Sequence, residues 1–218
     1  MLKKFFVCAL TLVALLIGGC GEEKVVGTPD KAILAYAEII TTGESTNLAA
    51  AGFSEEDNKN LRDVILKIFL KPFSDAVPLS DETMTELEKI FYANNKAKMN
   101  FQTKMKTEDK EHPVVELTTT PLDISNANKE LQKNNELFAL LGMVGKLKSD
   151  GATDDQLKQN PEVQKLAVTA FTKYIEGVQI QEEKTFEVPC AKVEGTNGNV
   201  HWAPADAKAL TNFMTGGN

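Results

Sequence analysis

Residues 98–106 read KMNFQTKMK, and apolar and polar side chains alternate through most of this stretch. A period of two residues is typical of a β-strand with one buried face and one wet face. After a polar turn over residues 108–113, the sequence VVELTTT (residues 114–120) again puts every second residue, such as Val115 and Leu117, on one face. The two stretches therefore predict an antiparallel β-hairpin.

A second hairpin is predicted near the C-terminus. Within Gln179–Val193, every second residue from Phe186 to Cys190 is apolar. The segment Gly195–Asn199 reads GTNGN and predicts a turn, and Val200–Trp202 predicts a short returning strand. Joined edge to edge, the two hairpins predict one curved, four-stranded antiparallel sheet.

Helical patterns occupy most of the remaining chain, each with a recognisable start signal such as a Ser, Thr or Asn cap or an early proline. The predicted helices begin after Thr28, Ser54 and Ser80, run over Ser125–Lys148 and from Thr153 to Val178, and close the chain over Pro204–Met214. This order predicts an α+β fold in which the sheet packs against several helices and two helices cross between the hairpins.

The first twenty residues, MLKKFFVCALTLVALLIGGC, have the pattern of an export signal. Lys3 and Lys4 precede an apolar run over Phe5–Ile17, which is too short to span a bilayer comfortably. The run ends in Leu16-Ile17-Gly18-Gly19-Cys20, which resembles a bacterial lipobox. The resemblance implies cleavage before Cys20 and acyl chains on that cysteine, which would anchor the protein stably to a membrane.

These signals predict three parts of the chain: a signal peptide over 1–19, a lipidated cysteine and tether over 20–27, and a single α+β domain over 28–218. The chain has 218 residues, of which 42% are hydrophobic and 25% charged, and this is the composition of an ordinary globular domain. Its net charge of −7 becomes more negative by two when Lys3 and Lys4 are removed. Such a charge argues against a nucleic-acid partner, because affinity for nucleic acid depends on basic residues.

No catalytic, metal or cofactor signature stands out, and no cofactor is expected. His112 and His201 are far apart in the sequence, which argues against zinc, and the acidic loop over 149–155 does not have the spacing of a calcium-binding EF-hand. No serine lies in a nucleophile elbow. Cys190 is the one thiol expected in the mature chain. It could act with His201 if the last two strands pair, but its register with Val188 favours a buried, inert side chain.

A ligand pocket is the remaining hypothesis. Inward-facing residues of a curved sheet could line its mouth beneath the helices and bind a small apolar molecule. The candidate lining residues are Phe101, Met105, Leu117, Phe186, Val188 and Trp202. The same side chains could equally fill the core.

A family resemblance rests on several of these features together: the lipobox, the proline-led first helix, GFSEED (52–57), VELTTTPLD (115–123) and a late strand that contains Trp202. The chain resembles bacterial lipoproteins that carry the domain of unknown function 5105, and its layout resembles cystatin-like and nuclear-transport-factor-like folds. The family implies no substrate and no functional residues.

The functional prediction is a lipid-anchored protein on the extracytoplasmic face of the cell membrane, or on the outer membrane where the cell has one. We expect a binding or assembly module for an envelope protein or a small apolar ligand, and not an enzyme. The alternatives are an envelope hydrolase that uses Cys190 and His201 or a pair of carboxylates, and a mere spacer.

Overall fold

The structure, a computed structural model, describes residues 24–217. The signal peptide and Cys20 lie outside the described residues. The helices are α1 (Pro29–Thr42), α2 (Glu55–Ser74), α3 (Asp81–Lys98), α4 (Ile124–Leu131), α5 (Asn135–Ser149), α6 (Asp154–Lys158), α7 (Pro161–Gly177) and α8 (Ala207–Met214). The strands are β1 (Val25–Val26), β2 (Phe101–Thr107), β3 (Val114–Thr119), β4 (Leu122–Asp123), β5 (Gln179–Ile180), β6 (Lys184–Glu194) and β7 (Val200–Pro204).

Both predicted hairpins are present, and they join as expected. The main sheet has the strand order β1-β7-β6-β3-β2, and β2, β3, β6 and β7 pair antiparallel with one another. In this register Met105 lies opposite Val115, and Leu117 lies opposite Phe186. The α+β class and the packing of a curled sheet against helices are therefore confirmed.

The prediction of a four-stranded, purely antiparallel sheet is wrong. A fifth strand, β1, adds to the edge of β7 and runs parallel to it, with Val25 opposite Val200 and Val26 opposite His201. Val25 and Val26, which lie within the tether predicted over 20–27, form this strand. A strand of two residues has no periodicity by which a sequence could reveal it.

The connection between the two hairpins is also more divided than the predicted pair of helices. It contains α4 to α7, and β4 and β5 form a small antiparallel sheet at its two ends. The break between α4 and α5 lies at Asn134, whose side chain accepts a hydrogen bond from Leu137 N (2.9 Å) and donates one to Ala170 O (2.9 Å). This buried amide caps α5 and ties it to α7, so one long helix is not formed.

Other caps follow the sequence closely. Thr153, where a helix was expected to begin, forms a capping box with Gln156 at the start of α6, and Ser80 caps α3 by accepting from Thr83 N. The acidic loop before α6 therefore has an explanation as a helix start, since Asp154 also pairs with Lys148 at 3.0 Å.

The core lies between the sheet and the helices. Helix α1 is at its centre, in contact with α2, α3, β2, β3 and β7. Beside it a chain of aromatic rings joins α2, α3 and α7: Phe69 lies 5.1 Å from Phe91 and 4.6 Å from Tyr174, and Phe73 lies 4.7 Å from Phe171. Each fully buried ring of this size contributes on the order of 2 kcal/mol to stability. Within residues 24–217, none of the helices combines the length and apolar character needed to cross a bilayer.

Candidate functional site

The residues predicted to line a pocket are mostly core residues. Leu117, Val188 and Trp202 are buried in the hydrophobic core, and Met105 and Phe186 are partly buried and pack against it. The ring of Phe186 stacks on that of Phe213 in α8 at 4.8 Å. These five side chains fill the space beneath the helices, so the alternative interpretation, a filled core, holds for them.

Phe101 differs from the other five, because it lines a surface cleft of about 330 Å³. The cleft lies where α1 and α3 end and β2 begins. Its lining residues are Glu38, Thr42, Glu44, Ser45, Thr46, Lys96, Met99 and Phe101. No sequence motif marks it, because its residues come from a helix end, a loop and a strand start that are distant in the chain.

Carboxylates and one lysine determine the charge of this cleft. Ser45 donates a hydrogen bond to Glu38, and Lys96 donates one to Glu44. The hydrogen bond and the charge of Lys96 lower the pKa of the Glu44 carboxyl. The carbonyl ends of α1 and α3 add negative potential. The cleft therefore carries two carboxylates against one lysine, and this negative charge does not suit the small apolar ligand expected from the sequence.

The structure does not bring Cys190 and His201 together. Cys190 lies opposite Pro204, whereas His201 lies opposite Val193. Paired residues share a face and neighbours along a strand alternate, so Cys190 and His201 lie on opposite faces of the sheet, about 10 Å apart along the strands. Cys190 is 3% exposed, and burial raises the pKa of its thiol to about 12. This thiol is a buried structural side chain and not an activated nucleophile.

His201 belongs instead to a polar contact between the β6–β7 turn and the start of α2. Asp57 accepts hydrogen bonds from Ser54 N (2.8 Å), Ser54 Oγ (2.7 Å) and Thr196 N (3.0 Å). Ser54 was predicted as the cap of this helix, but its contact with Thr196 was not. His201 lies beside this group, 4% exposed, with its ring 4.4 Å from that of Phe53.

Burial and polar partners have opposite effects on the pKa of each titratable group in this contact. Burial opposes ionisation of Asp57, but the hydrogen bonds from Ser54 and Thr196 outweigh it and lower the pKa of that carboxyl. Burial lowers the pKa of His201, against the attraction of Asp57. Because Ser54 Oγ donates to Asp57 and not to a histidine, the arrangement is that of a structural clasp and not of a catalytic triad.

The basic wet face of β2 is neutralised by partners on neighbouring strands. Lys104 pairs with Glu116 at 2.7 Å, and Lys106 pairs with Glu187. Lys98 is not in this strand but ends α3, where it donates to the carbonyls of Glu176 and Val178, both at 3.0 Å. Such pairs keep an exposed sheet face soluble and leave little positive charge for an anionic polymer or lipid.

The outer face of α5 has a different character. Phe138 is 55% exposed and Leu141 is 38% exposed, and both belong to the short set of exposed large apolar residues in the described chain. Gly142 and Gly145 lie on the same exposed surface, and a Cβ added to either would meet nothing within 4 Å. We call the surface formed by Phe138, Leu141, Gly142 and Gly145 the α5 face.

Among residues 24–217, no group of three or more His, Cys, Asp or Glu side chains could hold a metal ion. His112 is exposed in the β2–β3 turn, where its backbone N–H donates to Asp109 (2.7 Å), and His201 is in the clasp. The two histidines thus belong to separate parts of the molecule.

Comparison with known structures supports the architecture. The crystal structure of YcdA from Bacillus subtilis subsp. subtilis str. 168, a candidate lipoprotein, is similar with a TM-score of 0.54 at 16% identity. The similarity covers 84% of this chain and 53% of that chain, so this chain spans about half the length of the solved protein. At this identity the likeness concerns the fold alone.

No curated protein matches this chain. The family model of the domain of unknown function DUF5105 matches residues 22–202, which include the whole main sheet up to Trp202. The resemblance read from the sequence is therefore confirmed, and this chain belongs to the DUF5105 family.

Proposed function

We propose that this protein is a lipid-anchored, extracytoplasmic lipoprotein whose domain binds another protein at the membrane surface and performs no catalysis. The observation that carries the proposal is the exposed α5 face. Two large apolar side chains on one helix face are costly to leave in water, and an exposed apolar patch on a soluble domain is a common feature of interaction surfaces.

The two glycines strengthen this argument. Each glycine in a helix interior costs about 1 kcal/mol relative to alanine. Neither Gly142 nor Gly145 has a neighbour that a Cβ would strike, so the fold of the isolated chain does not require them. Glycine at an exposed helix position permits close approach of a second backbone, which would be supplied by a partner.

The position of the anchor supports a site of action next to the membrane. Val25 already belongs to the sheet, and Cys20 precedes it by five residues. Fully extended, this segment reaches at most about 17 Å. Lipidation of Cys20 would therefore keep the domain close to the bilayer. YcdA, whose fold is similar, is itself a candidate lipoprotein, and this agrees with the proposal.

Binding is favoured over catalysis by the surroundings of the candidate nucleophile. Cys190 is buried with a raised pKa, and His201 is on the other face of the sheet. An apolar small ligand is not favoured either, because the predicted pocket residues fill the core and the cleft at Phe101 is acidic.

The anchor is tested by intact mass of the membrane fraction, with Cys20→Ser as the matched variant. We expect the wild-type chain to begin at Cys20 and to carry acyl chains, and an inhibitor of the lipoprotein signal peptidase to preserve the leader. A wild-type mass without acyl chains would contradict lipidation.

Partner binding is tested by a photoreactive phenylalanine analogue placed at position 138 in intact cells. The matched control is the same analogue at position 68, because Ile68 is 51% exposed but lies on α2. We expect protein adducts from position 138 and few from position 68. Equal or absent adducts at the two positions would overturn the binding role and leave a spacer.

A further inference from the structure

We infer that the lipid anchor holds the domain against the phospholipid bilayer through the β6–β7 turn (residues 195–199), and that the cleft at Phe101 consequently opens away from the membrane. The inference rests on the proposed lipidation of Cys20 and adds to it the surface that faces the lipid. It is argued from the direction of β1 in the sheet, from the short reach between Cys20 and Val25, and from the chemistry of the turn.

Strand β1 begins at the end of the sheet where the β6–β7 turn lies. Strand β7 starts directly after this turn and leads away from it, and β1 runs parallel to β7 with Val25 opposite Val200. Lys24, which precedes β1, is exposed at this end. Neighbouring strands are about 4.8 Å apart, and Asn197 is three residues from Val200, a span of at most about 10 Å. The anchored end of β1 and the turn are therefore close together.

The cleft lies at the opposite end of the sheet. Helix α1 follows β1, and its 14 residues cover about 21 Å before they end at the cleft. Strands β2 and β6 run in the same direction, because each pairs antiparallel with β3, and both lead to a hairpin turn. Phe101 begins β2 and lines the cleft, so the cleft is remote from both turns. The domain thus has an anchor end and a cleft end.

The reach of the anchor limits the distance between the anchor end and the lipid. The segment from Cys20 to Val25 spans at most about 17 Å. Strand β6 has 11 residues and is about 33 Å long, so its first residues are farther from the turn than the anchor can reach. The short link therefore keeps the turn next to the bilayer and leaves the cleft end clear of it.

The chemistry of the turn suits contact with a lipid headgroup layer. Residues 196–199 read TNGN and are exposed, so contact with the headgroups desolvates no charge. Their hydroxyl and amide groups can donate hydrogen bonds to phosphate oxygens. Gly195 N donates to Asn199 O at 2.8 Å, and Asp57 accepts from Thr196 N at 3.0 Å. Because these bonds tie the turn to α2, its contact with the lipid orients the domain as a whole.

Fluorescence quenching of the full lipidated chain in phosphatidylcholine vesicles tests this orientation. A thiol-reactive fluorophore is attached to Asn197→Cys in the turn or, as the matched control, to Glu183→Cys before the other end of β6, and both positions are exposed. Lipids with a nitroxide on the headgroup quench fluorophores near the surface. Because β6 separates the two sites by about 33 Å, we expect about fivefold stronger quenching at position 197. The unmodified chain, whose thiol at Cys190 is buried, should take up little label.

Two results of this experiment would overturn the orientation. The first is quenching at position 183 that equals or exceeds the quenching at position 197. The second is stronger quenching of a label at Phe138→Cys than at position 197, because the exposed apolar residues of α5 would then lie in the lipid.

A longer link tests whether the anchor sets the orientation. Twenty Gly and Ser residues inserted between positions 21 and 22 add a root-mean-square reach of about 25 Å, and should reduce the quenching at position 197 about threefold. The insertion precedes β1, so the midpoint of urea denaturation should not change. Undiminished quenching at position 197 in this variant would overturn the role of the short link.

Intact mass distinguishes the inference from the function on which it rests. Acyl chains on Cys20 together with equal quenching at positions 183 and 197 would overturn the orientation and keep the anchor. A chain without acyl chains, with no quenching at either position, would overturn both. Cys20→Ser provides the reference for that result, because it cannot be lipidated.

Discussion

Helices α1 and α5 are similar in sequence and opposite in surroundings. They have 14 and 15 residues, and both are apolar on more than one side. Nine residues of α1 are buried, but only three of α5 are. Helix α1 is enclosed by two helices and three strands, whereas α5 packs mainly against α7. The fold buries the apolar residues on all sides of α1. It leaves apolar residues on the outer side of α5 exposed.

The same contrast applies to their glycines. Gly43 ends α1 with φ of 79°, and a Cβ there would lie 2.7 Å from the ring of Tyr92. The protein's own structure therefore requires glycine at position 43. Gly142 has no such requirement. A helix that retains apolar and small residues without internal need is a candidate for contacts outside the chain.

The largest expected difference between the two helices is in how much the free energy of unfolding falls when an apolar side chain is truncated to alanine. Ile33→Ala on α1 should lower the free energy of unfolding by about 3 kcal/mol, because Ile33 is fully buried. Phe138→Ala on α5 should change it by less than about 0.5 kcal/mol in the monomer. Urea denaturation of dilute protein measures both. A cost above about 1 kcal/mol for Phe138→Ala would mean that α5 is covered within its own chain.

Replacing the glycines should change the free energy of unfolding by less, and in opposite directions in the two helices. Gly43→Ala should destabilise by about 2 kcal/mol, since alanine resists a positive φ and clashes with Tyr92. Gly142→Ala should stabilise by about 1 kcal/mol through helix propensity. The midpoints of thermal unfolding should move in opposite directions. If Gly142→Ala were destabilising, the comparison between the two helices would lose its basis.

The smallest effect concerns the pH dependence of stability and comes from His201, which is buried on β7 against Phe53. Burial lowers the pKa of His201 below its ordinary 6.5, so the unfolded chain takes up this proton first as the pH falls. The free energy of unfolding should therefore decrease between about pH 7 and pH 5. Asp57 does not contribute in this range, because the ordinary pKa of its carboxyl, 3.8, already keeps it ionised in the unfolded chain and its pKa in the folded chain is lower still.

His201→Phe should abolish that decrease, and His112→Phe, at the exposed histidine of the β2–β3 turn, should leave it unchanged. Equilibrium unfolding of the three chains at several pH values provides the measurement. The same slope in His201→Phe as in the wild type would show that another group titrates.

Regions with clear periodicity could be predicted from the sequence. The four long strands and the caps at Ser80 and Thr153 were found where alternation and cap residues indicated them. The features that the sequence did not predict depend on contacts between residues distant in the sequence. Asn134 interrupts a helical pattern because its amide reaches Ala170, and β1 exists because β7 offers it an edge.

The candidate sites were less predictable for a related reason. Alternation correctly put Leu117 and Val188 on the inner face, but it cannot tell whether helices fill the space above them. Phe101 lines a cleft because α1 and α3 both end beside it. The exposure of Phe138 depends on which elements pack against α5, and an apolar helix pattern alone does not reveal this.

The attachment of β1 has a mechanical consequence. A pull on the residues before Val25 first loads the pairing of β1 with β7, which consists of only two register pairs. So short a parallel pair resists little force. Val26 lies opposite His201, and Gly27 lies against the backbone of Ala50 and Ala51. Tension would therefore detach the edge strand and uncover His201 while the remaining four strands stayed paired, lengthening the link to the membrane without unfolding the domain.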